Sequence, residues 1–166
     1  YLTCLEHVVE FLLDKWITID SLRFHYRDWG GSGQPILLLH GLASSSHIWD
    51  YVAPLLTQQF AVLALDQRGH GESDKPDYGY NFASVIGDLN GFISDLGIKH
   101  PVIVGHSWGA DVALEYGSAY PDVPNALCFV DGGAINISDR VGATLEKAKS
   151  DMAPPDFTGV TVAQLR

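Results

Sequence analysis

The stretch from Pro101 to Tyr120, PVIVGHSWGADVALEYGSAY, constrains the fold of this chain more than any other. Residues 101–104 are apolar and mostly β-branched, which is typical of a short buried strand. The residues from Gly105 to Gly109 have the spacing G-x-S-x-G, and apolar residues then recur at helical spacing. A strand, a tight turn and a helix without linking residues are the context of a nucleophile elbow, whose strained turn lifts its serine, Ser107, clear of the sheet.

The two glycines of this turn are predicted to stand where a Cβ would collide with neighbouring backbone. The turn also places the Ser107 hydroxyl at a helix N-terminus, where free N–H groups favour developing negative charge. The alternative is a glycine-rich turn in which Ser107 only caps the helix. The sequence of strand, turn and helix favours the elbow.

Short apolar strands alternate with helical segments along the chain. Strands are predicted at 35–39, 60–65, 101–104 and 126–130, all buried, and helices at 47–58, 82–96 and 110–120. This order predicts right-handed crossovers and a mostly parallel sheet with helices on both faces.

The sequence pattern divides the chain into three parts. Residues 1–14 place leucines and valines on one helical face and predict an N-terminal helix or extension. Residues 15–136 form the α/β core, which begins with a hairpin of 15–20 and 22–29. Residues 137–166 differ in pattern and are predicted to begin a cap or lid.

Polar, glycine-rich loops follow three of the predicted strands, after Leu39, Leu65 and Val104, and Asp131 follows a fourth. In open α/β sheets, ligands bind beyond the carboxyl ends of the strands. The sequence therefore predicts a site at this edge of the sheet, around Ser107. Asp66 is expected to brace its own loop.

Composition excludes several classes of partner. The formal net charge of −10 disfavours nucleic acid and anionic membranes, and no apolar run approaches the ~18 residues of a membrane span. Cys4 and Cys128 lie in different segments, so a disulfide scaffold is not indicated and a cytoplasmic location is expected. No cluster of residues has metal-ligand spacing, so neither a metal nor a cofactor is expected. The oligomeric state is left open.

Four segments, in their order along the chain, resemble the α/β-hydrolase superfamily: HGLASSSHIW, LDQRGHGESDKP, GHSWGA and FVDGG. The similarity covers residues 16–136. It is greatest to cap-bearing bacterial members related to esterases, C–C bond hydrolases, haloalkane dehalogenases and epoxide hydrolases. The resemblance implies the α/β-hydrolase fold, truncated after about the sixth strand.

The resemblance also implies roles for individual residues. Ser107 matches the nucleophile, and the backbone N–H groups of Leu42 and Trp108 match the oxyanion hole. Asp131 stands where some members carry the acid of the triad. In the alternative, the acid follows a later strand and Asp131 only braces its loop. Haloalkane dehalogenases and epoxide hydrolases use aspartate as the nucleophile, so a serine indicates acyl-transfer chemistry on a carboxylic ester or a related small-molecule substrate.

The family pattern places its catalytic histidine beyond the elbow, whereas all seven histidines of this sequence precede Ser107. His40 and His70 are predicted to be structural, and His106 is a poor base because neighbouring elbow side chains diverge. The sequence is therefore expected to be an N-terminal portion of a serine hydrolase that lacks its general base and is inactive alone. Its edge at 126–130 is expected to promote self-association.

Two further functions are kept open. One is a C–C bond hydrolase or a cofactor-free peroxidase-like enzyme of the same superfamily. The other is a non-catalytic protein with the hydrolase fold that binds a small molecule. Covalent labelling of Ser107 by a fluorophosphonate separates an enzyme from a receptor.

Overall fold

A six-stranded sheet organises residues 12–133, which are the residues that this computed structural model describes. The strands are β1 (Leu13–Ile19), β2 (Leu22–Gly30), β3 (Gln34–Leu39), β4 (Phe60–Leu65), β5 (Val102–His106) and β6 (Ala126–Val130). The helices are α1 (Ala53–Leu56), α2 (Phe82–Asp95) and α3 (Trp108–Ala119), with a 3₁₀ turn at Ser46–Trp49. Residues 1–11 of the N-terminal helix or extension predicted at 1–14, and the whole cap predicted at 137–166, lie outside the described residues.

The strands follow the order β1-β2-β4-β3-β5-β6 across the sheet. β1, β2 and β4 pair antiparallel, while β4, β3, β5 and β6 run parallel. The predicted hairpin is confirmed, and both turn residues, Asp20 and Ser21, have positive φ angles. The mostly parallel sheet is confirmed as well, and it brings the carboxyl ends of β3, β4, β5 and β6 to one edge.

Helices cover both faces of the sheet, as predicted. Odd and even positions of β3 point to opposite faces because side chains alternate along a strand. Leu37 and Leu39 join a core with α2 and α3, in which Phe92 and Tyr116 are fully buried. The even positions of β3 join a second core on the other face, with Trp29, Trp49, Ala53, Val62 and Ala64.

The prediction of one helix at 47–58 is wrong. The structure has the 3₁₀ turn and the single-turn helix α1, with non-helical residues between them. Pro54 in the first turn of α1 explains the break, because proline offers no N–H to a preceding helix and its ring clashes with the carbonyl four residues earlier. Between the two pieces, Asp50 pairs with the buried Arg27 of β2.

Two further expectations are corrected at the ends of the sheet. β1 begins at Leu13, so residues 13 and 14 belong to the sheet and not to an N-terminal helix. β6 matches its predicted bounds, but four of its five residues are exposed and the strand is not buried. The reason is its place in the sheet: within residues 12–133 it pairs only with β5. Self-association through this edge stays a prediction.

The buried carboxylate of Asp66 holds two loops next to the sheet edge. It accepts hydrogen bonds from the N–H groups of Ser46, at 2.6 Å, and Glu72, at 3.0 Å, and from Nδ1 of His25, at 2.8 Å. Burial alone would raise the pKa of Asp66, but these hydrogen bonds outweigh it and lower the pKa. The expectation that Asp66 braces its loop is confirmed.

Among residues 12–133, none of the helices has the length and apolar character that crossing a membrane requires.

Asp66→Asn is expected to destabilise the fold by about 2–3 kcal/mol, because an amide cannot accept three hydrogen bonds as a carboxylate does. Urea unfolding of the variant and the wild type measures this. Asp95→Asn, at an exposed position in the last turn of α2, is the matched control and should be close to neutral. Equal losses from the two substitutions would contradict the assignment of Asp66 as a brace.

Candidate active site

The backbone of Ser107 is left-handed, with φ 51° and ψ −120°, at the one-residue junction between β5 and α3. This conformation is rare for a residue with a side chain and costs on the order of 1–3 kcal/mol. Ser107 makes no side-chain hydrogen bond that caps α3. The alternative in which the serine serves as a helix cap is therefore not supported, and the half-buried side chain stands at the carboxyl edge of the sheet.

The glycines on either side of the turn are required by close approach of backbone, as predicted. A Cβ on Gly105 would lie 2.5 Å from the amide nitrogen of Ala110. A Cβ on Gly109 would lie 2.6 Å from the carbonyl oxygens of both Leu39 and His40. α3 therefore starts directly against the end of β3, which no larger residue would permit.

The loop after β3 lies against the elbow. A Cβ on Gly41 would be 3.2 Å from the Cβ of Ser107 and 3.2 Å from Nδ1 of His106. Leu42 follows in the chain and is 48% exposed. Among residues 12–133, neither the N–H of Leu42 nor that of Trp108 donates a hydrogen bond to another backbone group. Two amide donors are thus available on the two segments that meet at Ser107.

The loop after β6 packs on the other side of Ser107. The N–H of Ser107 donates to the carbonyl oxygen of Val130 at 2.8 Å, and a Cβ on Gly132 would lie 3.0 Å from Cα of Ser107. The N–H of Gly133 donates to Asp111 of α3 at 3.0 Å. Asp131, between these contacts, is exposed and has a φ of 51°. Its loop is therefore attached to the elbow, while Asp131 itself remains exposed.

His40 is fully buried, and both of its ring nitrogens are engaged. Nδ1–H donates to the carbonyl oxygen of Gly41 at 2.8 Å, and Nε2 accepts the N–H of Gln67 at 3.1 Å. Burial, with a smaller contribution from nearby His70, lowers the pKa of His40 to about 4. A neutral histidine without a free lone pair cannot take a proton from Ser107, which agrees with the predicted structural role.

His70 lies between two other rings at the same edge. Its centroid is 5.0 Å from that of His40 and 5.6 Å from that of Trp108, with which it stacks at 29°. Nδ1–H of His70 donates to the carbonyl oxygen of Arg68 at 3.0 Å. The sequence carries no sign of this stack, because its rings come from three separate segments.

Arg68 anchors the loop that carries His70. Its guanidinium pairs with the buried Asp88 of α2, with Nη2 2.5 Å from Oδ1, and Nη1 donates to the carbonyl oxygen of Gly79 at 2.8 Å. The hydrogen bond to Asp88 raises the pKa of Arg68 further above its ordinary range. Since both partners are buried and hydrogen-bonded, the loop after β4 is fixed to α2.

A family model described as the alpha/beta hydrolase fold matches residues 34–164. The chain belongs to this family. Its sheet order and the elbow between β5 and α3 are the structural counterpart of that match.

Curated relatives of this α/β hydrolase include two named hydrolases. A 2-(acetamidomethylene)succinate hydrolase from Mesorhizobium japonicum is 38% identical over 74% of the chain and 44% of its own length. A soluble epoxide hydrolase from a Corynebacterium species is 37% identical over 68% of the chain and 39% of its own length. The relatives support a hydrolase.

Among solved structures, a haloalkane dehalogenase from Agrobacterium tumefaciens superimposes with a TM-score of 0.75 at 27% identity. The similarity covers 86% of this chain and 48% of that one. The chain therefore spans less than half the length of these relatives.

The free energy of unfolding is expected to decrease as the pH is lowered from 6.5 to about 4. The upper limit is the ordinary pKa of histidine, and the lower limit is the pKa of His40 in the folded protein. In this window the unfolded chain binds a proton at residue 40 that the folded protein does not bind, so acid favours unfolding. The full loss of stability, reached below about pH 4, is on the order of 3 kcal/mol. Urea unfolding across this range measures the slope. His40→Asn should flatten it, whereas His100→Asn, at an exposed position, should not. An unchanged slope in His40→Asn would refute the assignment.

Proposed function

We propose that the whole protein is a serine hydrolase that cleaves a carboxylic ester or a related small acyl substrate. Ser107 is the nucleophile, and the N–H groups of Leu42 and Trp108 form the oxyanion hole. The observation that carries the proposal is the left-handed Ser107 between β5 and α3, which has no capping bond and stands beside two amides with no backbone acceptor among residues 12–133.

The proposed reaction uses these groups in two steps. Oγ of Ser107 attacks the substrate carbonyl carbon and gives its proton to a general base, which passes that proton to the departing alcohol. The carbonyl oxygen becomes an oxyanion, which the two amides and the N-terminus of α3 stabilise. Water, activated by the same base, then releases the acid and restores Ser107.

The general base is assigned to a histidine that follows the elbow in the whole protein, where the family pattern places it, since all seven histidines of this sequence precede Ser107. Within residues 12–133, His40 has both nitrogens engaged, and His25 is buried against Asp66 at 2.8 Å. His106 adjoins Ser107 in the chain, and its Nδ1 is turned toward Gly41. His25 and His40 are therefore not free to face the serine hydroxyl, and His106 is a poor base because neighbouring elbow side chains diverge.

Asp131 is proposed as the acid that orients this histidine. Its loop is attached to the elbow through Val130 and Gly132, and its carboxylate is exposed at the edge of the sheet. An exposed carboxylate near the nucleophile has room for a histidine to approach. A carboxylate buried in its own hydrogen bonds, such as Asp66, does not.

An acyl substrate is favoured over an epoxide or a haloalkane. The relative from Mesorhizobium japonicum is named for a substrate that carries an acetamido group. Ester-forming attack on an epoxide or a haloalkane requires a carboxylate at the elbow, as in the aspartate-dependent members of the superfamily, and this chain has a serine there. C–C bond hydrolysis uses the same oxyanion hole and is the second candidate.

The negative charge and the exposed free thiol of Cys128 support the remaining parts of the proposal. Nucleic acid is not a partner, because a net charge of −10 repels phosphate. We place the protein in the cytoplasm, where a free cysteine persists.

A fluorophosphonate probe is expected to label the whole protein at Ser107, because the probe reacts with an activated serine and leaves a tetrahedral adduct in the oxyanion hole. Mass spectrometry of the labelled peptide identifies the site. Ser107→Ala should abolish labelling and lower nitrophenyl ester hydrolysis by on the order of 10³-fold or more.

Ser118→Ala, at an exposed serine of the same helix, is the matched control and should label normally. Labelling that persists in Ser107→Ala would refute the assignment of the nucleophile. A folded wild type that binds small ligands but takes no label would favour the receptor alternative.

A further inference from the structure

The rings of His40, His70 and Trp108 form a row of contacts, which we call the stack, and it connects the two segments that supply the proposed oxyanion amides. The ring of His70 is tilted by 57° against that of His40 and stacks at 29° on that of Trp108. In the first segment His40 immediately precedes Gly41 and Leu42, and in the second Trp108 is the first residue of α3. His70, from the loop after β4, lies between the two rings, with centroid distances of 5.0 and 5.6 Å. The stack therefore joins the two segments that carry the donors.

One end of the stack fixes the direction of the Leu42 N–H. The carbonyl of Gly41 and the N–H of Leu42 belong to the same peptide unit, which is planar and trans, so they point in opposite directions. Nδ1–H of His40 holds that carbonyl at 2.8 Å. Gln67 fixes His40 in turn, since its N–H donates to Nε2 and its side-chain amide donates to the His40 carbonyl at 2.8 Å.

The other end of the stack contacts the residue that carries the second amide. The ring of Trp108 stacks on that of His70 at an interplanar angle of 29°. Nδ1–H of His70 donates to the Arg68 carbonyl at 3.0 Å, and Arg68 is anchored to Asp88. The middle ring is thus fixed to a rigid loop that belongs to neither of the segments it joins.

We propose that His70 is a positioning residue of the oxyanion hole, which sets the separation of the Leu42 and Trp108 amides by packing its ring against both His40 and Trp108. This inference rests on the proposed function. Donors must lie about 2.7–3.1 Å from the oxyanion, not from the ground-state carbonyl oxygen. A change in their separation therefore affects the transition state more than substrate binding, and it is expected to lower kcat while leaving KM nearly unchanged.

Two substitutions separate the ring of His70 from its hydrogen bond. His70→Phe keeps an aromatic ring in the stack and loses the donor to Arg68. His70→Asn keeps a donor near the position of Nδ1 and loses the ring. His70→Ala removes both, and His100→Asn, at an exposed histidine outside the stack, is the control.

The experiment measures nitrophenyl ester hydrolysis and the rate of fluorophosphonate labelling of the whole protein, at temperatures where each variant is folded by its own unfolding curve. His70→Ala and His70→Asn should lower kcat and the labelling rate roughly 10- to 100-fold, with KM within about twofold. His70→Phe should recover activity to within about threefold of the wild type, and His100→Asn should match it.

Two results would overturn the inference alone. In the first, the wild type is labelled at Ser107, and His70→Ala has the same kcat and labelling rate as the wild type. In the second, His70→Phe loses as much kcat and labelling rate as His70→Ala, which would show that the aromatic ring does not position the amides. A wild type that does not label at Ser107 overturns the proposed function itself, and the inference falls with it.

Discussion

The left-handed backbone of Ser107 is the constraint on which the site depends. A conformation that costs on the order of 1–3 kcal/mol persists because the surrounding structure determines it from several directions. β5 is held between β3 and β6, and α3 packs so close to β3 that a Cβ on Gly109 would touch two carbonyl oxygens. The hydrogen bond from Ser107 N–H to Val130 completes the turn. The packing of the fold therefore imposes the strained conformation of Ser107.

The loops around Ser107 are rigid for a different reason, which is that their buried polar groups satisfy one another. Asp66 accepts two backbone N–H groups from separate loops, and His40 is held at both nitrogens. Arg68 and Asp88 also fix the loop after β4 to α2. In a medium of low dielectric constant, breaking any of these bonds would leave an unsatisfied polar group, so the loops have one favoured arrangement. Fixed donors of this kind stabilise a developing charge without reorganising.

Local pattern in the sequence predicts the fold well where neighbouring residues decide the structure. The bounds of β6 and the helix at 82–96, ending before Gly97, follow from apolar periodicity and breakers. The helix at 47–58 is wrong because Pro54 interrupts a pattern that is otherwise helical. The prediction that β6 is buried is wrong because the place of a strand in the sheet depends on the order of all strands. The ring stack at the site escapes prediction, since His40, His70 and Trp108 meet only in the folded sheet.

The central claim is that the turn presents Ser107 to two main-chain amides at once. A crystal structure of the whole protein bearing a phosphonate adduct on Ser107 tests this most directly. The account predicts one phosphonyl oxygen about 2.7–3.1 Å from the amide nitrogens of both Leu42 and Trp108. A phosphonyl oxygen that faces solvent, or that meets neither of these nitrogens, would contradict it.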